Sequence, residues 1–281
     1  MRDYWTLIRP RIVALVLLAM TAAAWTAASK PPPWPRLLHA LLGAALVIAG
    51  AVALNQRLEL RGDAIMLRTA ARPLPAGRLG RRQVTAFGLA LSAAGLAYLV
   101  IATGDWPLVG LTALSWFLYV CTYTPLKSRS AWQTPIGAAA GAMPVLLGAA
   151  VAEAPFSAMA LSLFAVVYLW QIPHAMAIAW LYRGQFAAAE VKLATVIDPS
   201  GRTAGALAVA GAAALLPASL LPVFCALRDW PYAVSAALLG AAYLAFSLQF
   251  SRRPDDTTAR RLLRASLVYL PVLLGALMMS G

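Results

Sequence analysis

Nine apolar runs, each about 20 residues long, limit what this chain can fold into. They lie near 12–28, 37–55, 84–103, 107–123, 134–152, 157–180, 203–225, 231–250 and 263–280. A run of that length crosses the roughly 30 Å hydrocarbon core only as a helix, because no water there can satisfy an open backbone. Charge is correspondingly scarce: Asp, Glu, Lys and Arg make up 12% of the chain, against about a quarter in a soluble domain. The expected fold is an all-α integral membrane protein with nine transmembrane helices, and residues 1–281 form a single membrane domain.

The few charges orient that bundle. With the N-terminus in the cytoplasm, 20 of the 23 Lys and Arg residues fall on the cytoplasmic side. Three precede the first span, seven lie between spans 2 and 3, two between 4 and 5, three between 6 and 7, and five at the junction of spans 8 and 9. Only Lys30, Arg36 and Arg228 face the other way. This is a positive-inside pattern, so the net charge of +13 sets topology and does not indicate nucleic-acid binding. The long polar segments, 56–83, 124–133, 181–202 and 251–262, share that side, which is where chemistry is expected. Cys121 and Cys225 sit within predicted spans without partner spacing, which argues against a disulfide framework or a thiolate metal site.

One polar segment departs from a merely solvated loop. Asn55, Glu59 and Asp63 follow one another at i, i+4 and i+8 where the second apolar run ends. On a helix each step drifts only about 40°, so the three side chains share one face. Acids at a membrane edge are costly and usually functional. Arg68 and Arg72 continue the spacing, and Pro73 is expected to end the helix. Carboxylates suited to a divalent cation, followed by cations suited to phosphate, point to a Mg²⁺-diphosphate site with Asn55, Glu59 and Asp63 as metal ligands. Lys127 follows Tyr123 and Thr124 at the same membrane edge and is placed to reach the diphosphate; Arg129 is either a second such cation or a topology residue.

A second polar group lies inside the sixth run. Trp170, Gln171, Pro173 and His174 form a notch with an aromatic wall, and Pro173 kinks the helix and frees a carbonyl. A flat ligand would fit there. His39, near the opposite face and without such company, reads as structural. Gly137, Gly141 and Gly148 read as close helix packing.

The chain resembles the UbiA-type intramembrane prenyltransferases. Their first acidic motif is matched by Asn55-x3-Glu59-x3-Asp63-x2-Met66-x-Arg68-Thr69-x2-Arg72-Pro73-Leu74. Within that superfamily the haem O synthase (protoheme IX farnesyltransferase) family is the most similar, chiefly through Trp170-Gln171-Ile172-Pro173-His174. Arg9-Pro10-Arg11-Ile12, Tyr123-Thr124-x-Leu126-Lys127-x-Arg129, Gly141-Ala142-Met143-Pro144 and Asp198-Pro199-x-Gly201-Arg202 also resemble family segments. The resemblance implies transfer of a farnesyl group from farnesyl diphosphate to a haem b vinyl group in a bacterial inner membrane, with Mg²⁺ as cofactor. On that reading Arg68, Arg72, Tyr123, Arg129, Trp170, Gln171 and Gln185 bind substrate, and Asn55, Glu59, Asp63, Lys127 and His174 do the chemistry. His174 would line the haem pocket as a proton carrier or an axial ligand. Haem A synthase or oxidase assembly proteins are the implied partners besides the bilayer.

The match departs from the family at definite places. Glu59 stands where Asp is usual, and Arg61 where a further acid is common. The second acidic motif, an Asp-Tyr pair in the family, is Gln185-Phe186 here, and Glu190-Val191-Lys192 replaces Gly-Ile-Pro. Either a second metal is held more weakly, or Glu190 or Asp198 substitutes, or the activity is altered. The competing readings are a UbiA-type enzyme acting on an aromatic quinone precursor and a haem-binding paralogue without catalysis.

Overall fold

The computed structural model describes residues 1–27, 32–225 and 228–280; Lys30 and Leu227 lie outside them. Among the described residues nine long helices carry the fold: α1 Pro10–Thr26, α2 Trp34–Leu58, α3 Arg81–Thr103, α4 Trp106–Leu126, α5 Gln133–Val151, α6 Ala158–Leu181, α7 Arg202–Phe224, α8 Trp230–Arg252 and α9 Asp256–Met279. Eight of them are long and apolar enough to cross a membrane. The exception is α1, which has 17 residues and so spans about 26 Å at 1.5 Å per residue. Eight spans are thus found where nine were expected, and the first expected span corresponds to this shorter apolar helix. No strand occurs among the described residues.

The chain punctuates these helices with familiar chemistry. Pro10, Pro35, Pro107 and Pro231 occupy first-turn positions, where a missing N–H leaves no bond unmade. Asp105, Ser157, Asp229 and Asp255 accept backbone N–H bonds from Leu108, Ala160, Tyr232 and Thr258 at the starts of α4, α6, α8 and α9. Small residues then let helices approach. A Cβ on Gly95 would lie 2.8 Å from the Gly43 carbonyl, so α2 and α3 meet backbone to backbone. Gly148 brings α5 closer still to the Met20 carbonyl of α1.

Among the described residues two of five buried clusters make up most of the core. One joins α6 to α9 through Trp180, Tyr232, Tyr243, Phe250 and Tyr269; the other joins α1, α2, α4 and α5 around Met20, Leu37, Leu108 and Leu147. Large apolar side chains such as Leu18, Leu38, Ile101 and Leu238 remain exposed on the outside, as a bilayer-facing surface requires.

The end that carries the starts of α2 and α4 holds a cavity of about 630 Å³ lined by Arg36, His39, Asp105 and Glu153. Arg36 pairs with Asp105 at 2.7 Å and with Glu153, and His39 Nδ1 lies 2.7 Å from the Tyr98 hydroxyl. Cys121 and Cys225 are free thiols.

Candidate active site

The opposite end gathers the polar segments. Asn55 and Gln56 are both buried at the end of α2. Gln56 donates from Nε2 to the Leu7 carbonyl at 2.6 Å, fixing the N-terminal segment. Asn55 donates from Nδ2 to Thr124 Oγ1 at 2.9 Å, and that hydroxyl donates to the Tyr119 carbonyl at 2.7 Å. Thr124 is available because α4 widens into a π-helical turn over Leu118–Tyr123, a distortion frequent at functional sites. The amide of Asn55 is thereby oriented with its donor engaged and its oxygen left as the acceptor.

The i, i+4 ladder survives a break in the helix. Glu59 leaves helical geometry, and a short helix, Leu60–Ile65, follows. Even so, the Glu59 N–H donates to the Asn55 carbonyl and the Asp63 N–H to the Glu59 carbonyl, both at 2.9 Å. The expected shared face is retained.

Beyond Asp63 the expectation fails. The helix does not run to Pro73: Met66 is extended, a single turn covers Leu67–Ala70, and Arg72 lies past it. Thr69 stabilises the reversal by donating from Oγ1 to the Asp63 carbonyl at 2.8 Å. Arg72 therefore folds back onto the buried Asp63 carboxylate, whereas Arg68 points to another element, its guanidinium 5.1 Å above the Tyr182 ring and 4.8 Å above that of Phe186. Lys127 pairs with Glu59 and sits 4.4 Å from the Tyr123 ring centroid. Each expected metal-ligating acid is thus already paired with an expected phosphate-binding cation. Burial pushes the Asp63 carboxyl above its ordinary range, and the Arg72 charge pulls against that shift.

Arg9 precedes α1 in a left-handed conformation and is exposed. Arg129 is exposed and is not drawn into the cluster.

The partner loop does meet the first motif. Phe186, on the short helix Arg183–Ala188, packs with Met66, and the Lys192 N–H donates to the Lys127 carbonyl at 2.7 Å. Gln185 lies on that helix with its Oε1 buried and without a hydrogen-bond partner. An orphaned amide oxygen at the position of the family's aspartate fits a ligand that brings positive charge or a donor. Asp198 does not substitute for it. Both its oxygens are committed to the start of α7, accepting from Ser200 and Thr203 at 2.6–3.0 Å, which holds its carboxyl well below the usual range. Glu190 is exposed, at φ 55°.

The notch of α6 is built against α9. Trp170 and His174 stack with centroids 5.0 Å apart and 22° between planes. Trp170 donates from Nε1 to the Ser266 carbonyl at 2.8 Å, and His174 Nδ1 lies 2.7 Å from Ser266 Oγ. Ser266 Oγ also donates to the Leu263 carbonyl at 2.6 Å. With its single proton so used, the hydroxyl accepts from His174, which places the imidazole proton on Nδ1 and leaves Nε2 bare. Gln171 is packed against α5: its Nε2 donates to the carbonyls of Ala138 and Val167 at 3.1 and 3.0 Å, and its Oε1 occupies the space beside Gly141. His174 is seven residues from the end of α6, so the notch lies about 10 Å deeper than the helix end.

A helical bundle with a charged clamp at one end and a polar notch below it defines an intramembrane group-transfer protein. The chain belongs to the UbiA prenyltransferase family, whose pattern matches residues 15–270. Within that family it is similar to proteins named protoheme IX farnesyltransferase. That of Solibacter usitatus (strain Ellin6076) is 37% identical over 289 residues, covering 100% of this chain and 99% of the relative. That of Opitutus terrae is 40% identical over 282 residues, covering 99% and 94%. Among solved structures, one from work on digeranylgeranylglyceryl phosphate synthase superposes with a TM-score of 0.82 at 14% identity, covering 99% of this chain and 97% of that one. A UbiA homologue from Archaeoglobus fulgidus bound to GPP and Mg²⁺ gives 0.65 at 15% identity, covering 98% and 99%. These structures share the fold.

Proposed function

We propose that this protein transfers the farnesyl group of farnesyl diphosphate to a vinyl group of haem b, giving haem O, and does so as one membrane domain over residues 1–281. The observation that carries this reading is the paired charge cluster, Glu59 with Lys127 and Asp63 with Arg72, at the same end of the bundle as Arg68 and Gln185. The names of the full-length relatives support haem b as acceptor.

The donor set fits Mg²⁺ only with help from substrate. Among the described residues no three His, Cys, Asp or Glu side chains gather as a metal site. Glu59, Asp63 and Asn55 offer two carboxylates and an amide, and Mg²⁺ ordinarily completes such a shell with phosphate oxygens and water. Bound there, Mg²⁺ would neutralise the charge that builds on the diphosphate as the allylic C–O bond breaks. Lys127 and Arg72 leave their carboxylates to take diphosphate oxygens, and Arg68 approaches from its aromatic seat. The helix bundle keeps water from the allylic carbon until transfer. Below, Trp170 walls the acceptor, and the bare Nε2 of His174 takes up the proton released when water adds to the farnesylated vinyl group. We place the clamp end in the cytoplasm of a bacterial inner membrane on the charge distribution, with haem A synthase or oxidase assembly proteins receiving the product.

Competition tests the acceptor. Purified protein is supplied with farnesyl diphosphate, Mg²⁺, haem b and a hydroxybenzoate together, and the products are read by mass. The expected product is haem O with the hydroxybenzoate unchanged. Prenylated hydroxybenzoate would replace the haem reading with that of a quinone-precursor enzyme, and retained but unmodified haem would mark a binding protein.

A further inference from the structure

We propose that the crevice between α8 and α9 holds an anionic phospholipid, with its phosphate on Arg261 and Arg264 and an acyl chain running along the helices. The crevice, of about 360 Å³, lies outside the clamp and the notch. On α8 it is lined at i, i+3, i+4 and i+7, from Leu239 to Phe246, and on α9 by Arg261, Arg264 and Val268. These spacings keep each set on one face, so the lining forms a straight seam between two neighbouring helices. The stacked rings of Tyr243 and Tyr269, with centroids 5.3 Å apart, are its floor.

Charge is confined to one end of that seam. Arg261 and Arg264 come about 8 and 12 Å after the start of α9 at Asp256. This is the clamp end of the bundle, because Asp256 pairs with Arg183 at 2.9 Å. Acids nearby are already taken: Asp256 holds Arg183 and approaches Arg260 at 4.0 Å, and Asp255 holds Arg253 at 3.1 Å. Among the described residues neither Arg261 nor Arg264 has an acidic partner, and both are exposed. Two unneutralised guanidinium groups at headgroup depth, above an apolar groove, match a phosphate joined to an acyl chain. Basic pockets between membrane helices recognise anionic headgroups in this way, each arginine contributing about fivefold.

Native mass spectrometry of the purified full chain with equal phosphatidylglycerol and phosphatidylcholine tests this. Retention of phosphatidylglycerol should exceed that of phosphatidylcholine by roughly twentyfold. The preference should fall to parity in Arg261→Gln/Arg264→Gln, with an unchanged thermal midpoint. Val268→Trp, which fills the groove, should lower retention of both lipids while the arginines remain. Parity in the unaltered protein, or a preference that survives the double substitution, would overturn the proposal. So would displacement of the lipid by excess inorganic phosphate, which would assign the arginines to a free anion.

Discussion

Lys127 and Glu59, 68 residues apart in sequence, form an ion pair where α2 and α4 end together. The pairing explains how a membrane-edge carboxylate is carried before substrate arrives: the cation later needed by phosphate first balances the acid later needed by metal. The same relation holds between Arg72 and Asp63. Lys127→Met should therefore lower kcat/KM for farnesyl diphosphate by about 10²–10³-fold, the usual loss for one charge-stabilising donor. Combined with Glu59→Gln, the loss should be smaller than the product of the two single effects, since the residues act on one another. Steady-state assays of the four proteins check both points.

The acid limb of activity should lie above the ordinary carboxylate range. Burial raises the Asp63 carboxyl against the pull of Arg72, and only the ionised form serves a metal. As pH falls, activity is lost once that raised value is crossed. Arg72→Gln should move the limb to still higher pH, and a kcat/KM profile reads the shift. Folding responds with the opposite sign. A carboxyl that binds its proton more tightly when folded favours the folded state below its unfolded value, and that contribution disappears as pH rises through the folded value.

His174 should be needed for the acceptor and dispensable for the donor. His174→Ala should lower turnover with haem by about 10²–10⁴-fold, the range for a positioned acid–base group, and leave farnesyl diphosphate binding unchanged. Ser266→Ala removes the Nδ1 partner and should alter the pH profile of haem turnover more than its maximum. Calorimetric binding of a farnesyl thiolodiphosphate alongside the turnover assay separates the two steps.

Gly141 is a packing requirement. A Cβ there would collide with Gln171 Oε1, so Gly141→Ala should destabilise the bundle by about 1–3 kcal/mol, the typical cost of overpacking. Gln171→Ala in the same chain should recover part of it. Thermal midpoints in detergent measure both.

Much of this was legible in the sequence, because membrane helices announce themselves by length and apolarity. The i, i+4 ladder of Asn55, Glu59 and Asp63 was readable for the same reason, since helical periodicity is local. The fate of Arg68 and Arg72 was not. Their positions depend on the extended Met66 and on Thr69 bonding back to Asp63, a reversal that overrides the helical spacing. The packing of Gln171 was not legible either, because one of the two carbonyls that its amide meets, those of Ala138 and Val167, lies on another helix. Asp198 looked like a spare acid until the local capping of α7 accounted for both its oxygens. Its depressed carboxyl adds stability that is complete above its ordinary value and is lost as pH falls through the lower folded one.

The central claim is that Glu59 and Asp63 hold a metal which presents diphosphate to Lys127 and Arg72. Binding of farnesyl thiolodiphosphate to the purified protein, titrated with Mg²⁺ by calorimetry, tests it most directly. The account predicts that Mg²⁺ and the diphosphate each bind weakly alone and tightly together, and that Glu59→Gln/Asp63→Asn abolishes the Mg²⁺ dependence. Equally tight binding without Mg²⁺, or an unchanged Mg²⁺ dependence in the double variant, would contradict it.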